Sequence, residues 1–143
     1  MASQLYELAR EKFLGGELDW SDDSAQNWKV YLIDEADYAY NFTTDEFADD
    51  IAVGAAKVAT SGNLANLTNA LGVANADDIT FSAVSGDQSE ALVIWQDTGT
   101  QSTSPLVLYL DDPEVTGLPI TPNGGDITVQ WDEGANKIFK LGD

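Results

Sequence analysis

Leu118 to Leu141, LPITPNGGDITVQWDEGANKIFKL, is the stretch whose reading decides the fold, because two strand patterns and their flanking turns can be read in it. From Asp126 to Trp131, the residues Ile127, Val129 and Trp131 alternate with Thr128 and Gln130, the period of a strand with one buried face. From Lys137 to Leu141, Phe139 and Leu141 point one way, and Ile138 and Lys140 the other. Asp132 to Asn136 joins the two runs and contains Gly134, so the spacing predicts a closing β-hairpin over 118–141. Pro119, Pro122 and the Asn123-Gly124-Gly125 run give it a stiff approach followed by positions that accept φ > 0. A hairpin is not stable alone in water, so the rest of the chain must supply the sheet it joins.

Candidate strands precede it. Glu90 to Trp95 (EALVIW) and Leu106 to Leu110 (LVLYL) read as buried strands, and the polar loop DTGTQSTSP between them suits adjacent antiparallel neighbours. Ile79 to Val84 (ITFSAV) alternates and ends at the turn signal Ser85-Gly86-Asp87. Trp28 to Ile33 places Trp28, Val30 and Leu32 on one face and Tyr31 and Ile33 on the other, the pattern of a strand covered on both sides. Lys57 to Ala74 is assigned extended structure. Thr43-x-x-Glu46 is a capping box, predicting a short helix to Asp49 or Asp50 fastened by Phe42 and Phe47.

Residues 1–16 predict an amphipathic helix capped by Ser3, with Leu5, Leu8, Ala9 and Phe13 on one stripe and Gly15-Gly16 as its stop. Folding onto its own sheet is the preferred role for this helix. The alternative is an arm whose Leu5, Leu8 and Phe13 contact a neighbouring subunit. The whole reads as one all-β domain over 1–143, a mainly antiparallel sandwich or barrel with that helix and one short internal helix. Trp28, Trp95, Trp131 and Phe139 are the expected core anchors.

Six basic against 25 acidic residues give a formal charge of -19, which argues against a grip on nucleic acid or on an anionic membrane. The same charge implies self-repulsion, so an oligomer should tighten as salt rises. The chain has no Cys and no His, which removes thiolate chemistry, the commonest general base and the commonest metal ligand. Charged residues interrupt the apolar positions of the first helix, so neither a signal peptide nor a membrane span is expected, and the protein should be made and kept soluble in a cytoplasm. Four doublets, Asp22-Asp23, Asp49-Asp50, Asp77-Asp78 and Asp111-Asp112, could hold Ca²⁺, but they lack the EF-hand pattern and sit at element ends where Asp favours turns and caps. Among 25 acidic residues, carboxylate pairs at glycosidase spacing arise by number alone. No catalytic, cofactor or metal residue is therefore expected.

Five pieces carry a resemblance: AREKFLGGELDW (Ala9 to Trp20), KVYLIDEADY (Lys29 to Tyr38), VATSGNL (Val58 to Leu64), ADDITFSAVSGDQSEALVIWQDTGT (Ala76 to Thr100) and the stretch quoted first. Together they resemble a family of small acidic structural proteins of tailed bacteriophages and prophages, over nearly the whole chain. The departures are Asn69-Ala70-Leu71, where a more β-prone run is usual, and Trp95, where Tyr is usual. The resemblance implies a virion protein without catalytic residues, and the acidity fits a capsid decoration protein outside the DNA-filled shell. Such a protein would bind the major capsid protein as a homo-oligomer, with a trimer preferred. A head-to-tail connector or tail component is the structural alternative. A glycan-binding module with an open platform of Trp20, or of Tyr38 and Tyr40, is the alternative of another class.

Overall fold

The structure, a computed structural model, describes residues 4–21, 27–51, 55–111, 117–131 and 137–141. The cap assigned to Ser3, the doublet Asp22-Asp23, Asp112 and the connection Asp132 to Asn136 lie outside the described residues.

The described residues are mainly antiparallel β structure with one α-helix. β1 (Gln4–Leu5) leads into α1 (Glu7–Leu14), and β2 (Trp28–Ile33), β3 (Lys57–Thr60), β6 (Ala91–Gln96) and β7 (Leu106–Asp111) complete a sheet ordered β1-β7-β6-β2-β3. Every residue of β6 is buried, as are all of β2 except Lys29, because both faces of the central strands are covered. On one face, Trp28 packs against Phe13 of α1 and against Trp20, at ring separations of 6.4 and 4.8 Å. On the other, Tyr31 and Trp95 stack 4.5 Å apart and within 6° of parallel. The 97–105 loop joins β6 to its neighbour β7 and is knit by the hydroxyls of Thr98, Thr103 and Ser104.

Two small pairs complete the fold: β4 (Val73–Ala74) with β9 (Phe139–Lys140), and β5 (Ile79–Phe81) with β8 (Ile127–Val129). The hairpin expected over 118–141 therefore does not form, since its two strands take different partners. The alternation itself holds in the first strand, where Ile127, Val129 and Trp131 are buried and Thr128 and Gln130 exposed. In the second strand it fails: Ile138 and Phe139 are both buried, and Lys140 and Leu141 both exposed.

The choice of partner has a physical reason in a repeated Asp-Ile-Thr tripeptide followed by an apolar residue. Asp78-Ile79-Thr80-Phe81 and Asp126-Ile127-Thr128-Val129 run antiparallel about Thr80 and Thr128, whose hydroxyls lie 2.9 Å apart. Ile79 faces Val129 and Phe81 faces Ile127, so both apolar faces are buried together. Each Asp closes one end of the pair: Trp131 N donates to Asp78 Oδ1 and Ala83 N to Asp126 Oδ1, both at 2.9 Å. The segment after Trp131 could not offer β8 this symmetric set of contacts.

Two local expectations also change. Leu5 belongs to β1, paired with Leu108, and Tyr6 rather than Ser3 precedes the first turn of α1. The helix expected from Thr43 is instead a turn followed by a 3-10 turn at Ala48–Asp50. The Asn41 side chain accepts from the Thr43 and Thr44 N–H groups and the Asp50 side chain from those of Glu46 and Phe47, so short polar side chains satisfy the backbone and hold it out of a helix. Phe42 packs on Tyr6 and Tyr109, and Phe47 bridges to Pro105. The buried residues form one core cluster, which includes Trp28, Trp95, Trp131 and Phe139. Among the described residues no helix is long and apolar enough to cross a membrane.

Candidate functional site

A connected group of ionisable side chains lies where β1, β7 and the loop after β2 meet. Tyr6 is fixed between β1 and α1, its N–H donating to Val107 O at 3.0 Å. Its hydroxyl lies 2.8 Å from that of Tyr38, which donates to Asp45 Oδ2 at 2.6 Å. Asn41 N donates to the same carboxylate oxygen. The Tyr109 ring, on β7, is surrounded by Tyr38, Tyr40 and Phe42 at 6.2, 4.6 and 5.9 Å.

Burial is the main cause holding the Tyr6, Tyr38 and Tyr109 hydroxyls far above the ordinary tyrosine range, with Asp45 adding to it at Tyr6 and Tyr38 and Glu35 at Tyr109. Tyrosines held so firmly protonated are poor proton shuttles at neutral pH, so the arrangement serves to lock a loop onto the sheet. Glu35 at the rim of this group is also raised, first by burial and then by the Asp111 and Glu90 carboxylates, while its contact with the Tyr109 hydroxyl acts the other way. A carboxyl whose folded-state pKa is raised favours folding only where it is protonated, and opposes folding as pH climbs through that range. Glu35→Gln, which removes the charge and keeps the size of the side chain, is accordingly expected to raise the melting temperature at pH 7. Thermal scans should show that gain shrinking towards pH 4.

Among the described residues of the expected doublets, the carboxylates of Asp50, Asp77 and Asp78 act as turn and cap groups. Asp50 and Asp78 accept backbone N–H groups as described, and Asp77 accepts from Asn66 Nδ2 at 2.5 Å while its carbonyl accepts from Trp131 Nε1 at 3.0 Å. Asp111 pairs with Ala91 at the end of β7. The fold gathers a different set, Asp34, Asp37 and Asp87, with ligand atoms within 4.8 Å of one another. Their spacing in sequence gives no hint of this, because Asp87 arrives from a separate turn. Asp34 Oδ1 already accepts the Ala36 N–H at 2.9 Å, so this carboxylate serves a turn as the doublets do.

An open stacking platform does not form from Trp20 and Tyr38. Trp20 is 5% exposed, packed 5.2 Å from Phe139, with Nε1 donating to Asn75 O. Tyr38 is also 5% exposed, whereas Tyr40 is 39% exposed. The four tryptophans are all buried.

Leu5 is buried within the sheet, and Leu8 and Phe13 are half-buried, with Phe13 turned towards Trp28 and Phe139. The large apolar side chains that do face solvent among the described residues are Leu14, Leu71 and Leu141, besides Tyr40. The sequence reading places Leu141 on one face with the buried Phe139 and assigns no contact to Leu14 or Leu71. A signal existed only for Leu14, which abuts the Gly15-Gly16 stop and so escapes the buried stripe. No known family model matches the chain, and no curated protein proves similar to it.

Proposed function

We propose that this chain is a structural protein of a tailed-bacteriophage virion: a capsid decoration protein that binds the major capsid protein on the outer shell as a small homo-oligomer and does no catalysis. It would be synthesised in the cytoplasm of the host bacterium and end on the capsid surface. The two small strand pairs are read as a second layer against the five-stranded sheet, making a β-sandwich.

The observation that carries the reading is the resemblance of five stretches, above all Leu118 to Leu141, to small acidic phage proteins. Two features support it. The ionisable groups that the fold gathers around Tyr38 are tied into loop anchoring, and a charge of -19 suits a surface turned away from packaged DNA. Binding would stabilise the shell by mass action, since a ligand that prefers the assembled lattice shifts the equilibrium towards it. The head-to-tail connector remains the second reading of the same sequence likeness. Nothing in the geometry favours the glycan module, whose Trp20 and Tyr38 are buried.

Quantitative mass spectrometry of purified virions tests the assignment. A decoration protein is expected at hundreds of copies per particle, whereas a connector ring carries about six or twelve. A dozen copies would transfer the protein to the head-to-tail junction, and none would remove it from the virion.

A further inference from the structure

We propose that the end of the molecule built from α1, the 3-10 turn Ala70–Gly72 and β9 is the contact face between copies of this chain. Its three exposed leucines are each tied, by sequence or by a hydrogen bond nearby, to members of one aromatic cluster. Phe13, Trp20, Trp28 and Phe139 pack together with ring separations from 4.8 to 6.4 Å. Leu14 follows Phe13, and Leu141 lies two residues beyond Phe139. Leu71 lies two residues beyond Asn69, whose side chain donates to Trp20 O at 3.0 Å. The Leu141 N–H donates to Gly72 O at 3.0 Å, which sets the 71 and 141 positions side by side.

Leu14 is 92% exposed, Leu71 97% and Leu141 46%. Leu71 also holds a left-handed backbone, φ 55° and ψ 31°, which disfavours any side chain with a Cβ. Its exposure means that the isolated chain offers no packing in return, and strain of this kind concentrates at binding surfaces.

Charge identifies the occupant. α1 with the adjoining Glu17, the Ala70–Gly72 turn, β4 and β9 carry Arg10, Lys12 and Lys140 against Glu7, Glu11 and Glu17, which is half of the six basic residues and only three of the 25 acidic ones. Elsewhere a second copy meets like charge, whereas here it meets an almost neutral apolar surface. Lys12 is already engaged by Glu46 at 2.6 Å. Arg10 shares the exposed face of the helix with Leu14, four residues on, and with Glu7 and Glu11, so the stripe offers both signs to its own image across a two-fold axis. A basic partner would instead be drawn to the acidic remainder of the molecule.

This contact rests on the oligomeric part of the proposed function and is tested apart from the virion. Sedimentation equilibrium of the full chain should show a discrete oligomer whose association tightens as sodium chloride is raised, because screening weakens the net repulsion. In Leu14→Ser/Leu71→Asn/Leu141→Ser, association should weaken by about tenfold or more for each leucine buried at the contact, with the melting temperature of the dilute protein unchanged. Asn tolerates the left-handed conformation, so Leu71→Asn alone provides a variant that keeps its fold and should still associate more weakly than wild type. A chain that stays monomeric at every salt concentration, or variants that associate as wild type does, would overturn the contact. Absence of the protein from virions would overturn the decoration role and leave this result untouched.

Discussion

Trp28→Ala is expected to destabilise the protein by about 3–5 kcal/mol, the cost of emptying a large, fully buried aromatic site. In a domain of this size that corresponds to a fall of roughly 10–20 °C in melting temperature. The size follows from position. Trp28 is 0% exposed and opens β2, the strand between β6 and β3. Its ring lies parallel to that of Phe13 and touches Trp20, which in turn meets Phe139, so one side chain joins α1, the central sheet and β9. Its Nε1 also donates to Asp19 O at 3.2 Å. Trp28→Phe should recover most of the loss, because the ring contacts survive and about 1 kcal/mol of hydrogen bonding does not. Chemical denaturation of the three proteins measures both values. A loss below about 1 kcal/mol for the alanine variant would mean that the aromatic cluster does not organise the core.

Alkaline unfolding is the second large effect. Tyr6, Tyr38 and Tyr109 each have a folded-state pKa well above the ordinary tyrosine value of 10.0, so each binds its proton more tightly folded than unfolded. Their contribution is intact below about pH 10 and is lost as pH rises beyond it, since only the unfolded chain then ionises freely. Each such tyrosine lowers stability by about 1.4 kcal/mol per pH unit in that window, and three together by about 4 kcal/mol per unit. Against a net stability of about 5–15 kcal/mol, this predicts cooperative unfolding within about one to four units above pH 10. Tyr31, pushed up to about 12 by burial, should ionise late as well. Tyrosinate absorbance and near-ultraviolet circular dichroism should therefore change in one step. Three tyrosines ionising near pH 10 with the dichroism intact would show that the network around Tyr38 is open to solvent.

How far the fold is legible in the sequence depends on how each strand is specified. β2, β6 and β7 can be read directly, because strands covered on both faces need nearly continuous apolar runs. β5 and β8 can be read as strands, yet proximity in sequence suggested the wrong partner for β8. Its partner is set by the matched Asp-Ile-Thr segments 48 residues apart, whose likeness is visible in the sequence but acquires meaning only when the two ends are seen to cap each other. β1, β4 and β9 have two residues each, too few for any period, and exist because neighbours present free backbone groups. The candidate contact face was the least legible part. Leu8 and Phe13 follow the helical period and are turned partly inward, whereas Leu71 is outside every pattern and is placed by a left-handed turn.

The pairing of β1 with β7 also bears on how the chain is made. Gln4 and Leu5 leave the ribosome about a hundred residues ahead of their partners Tyr109 and Leu108, and β8 and β9 follow later still. The sheet thus cannot be closed on the nascent chain until residue 109 has emerged, nor the two small pairs until residues 127–140 have. While residues 34–96 are made, the apolar run that becomes β2 waits without its neighbour β6, the condition in which newly made chains on one message stick to each other. The acidic side chains spread along the polypeptide repel one another between such chains, which opposes that association before the sheet is closed.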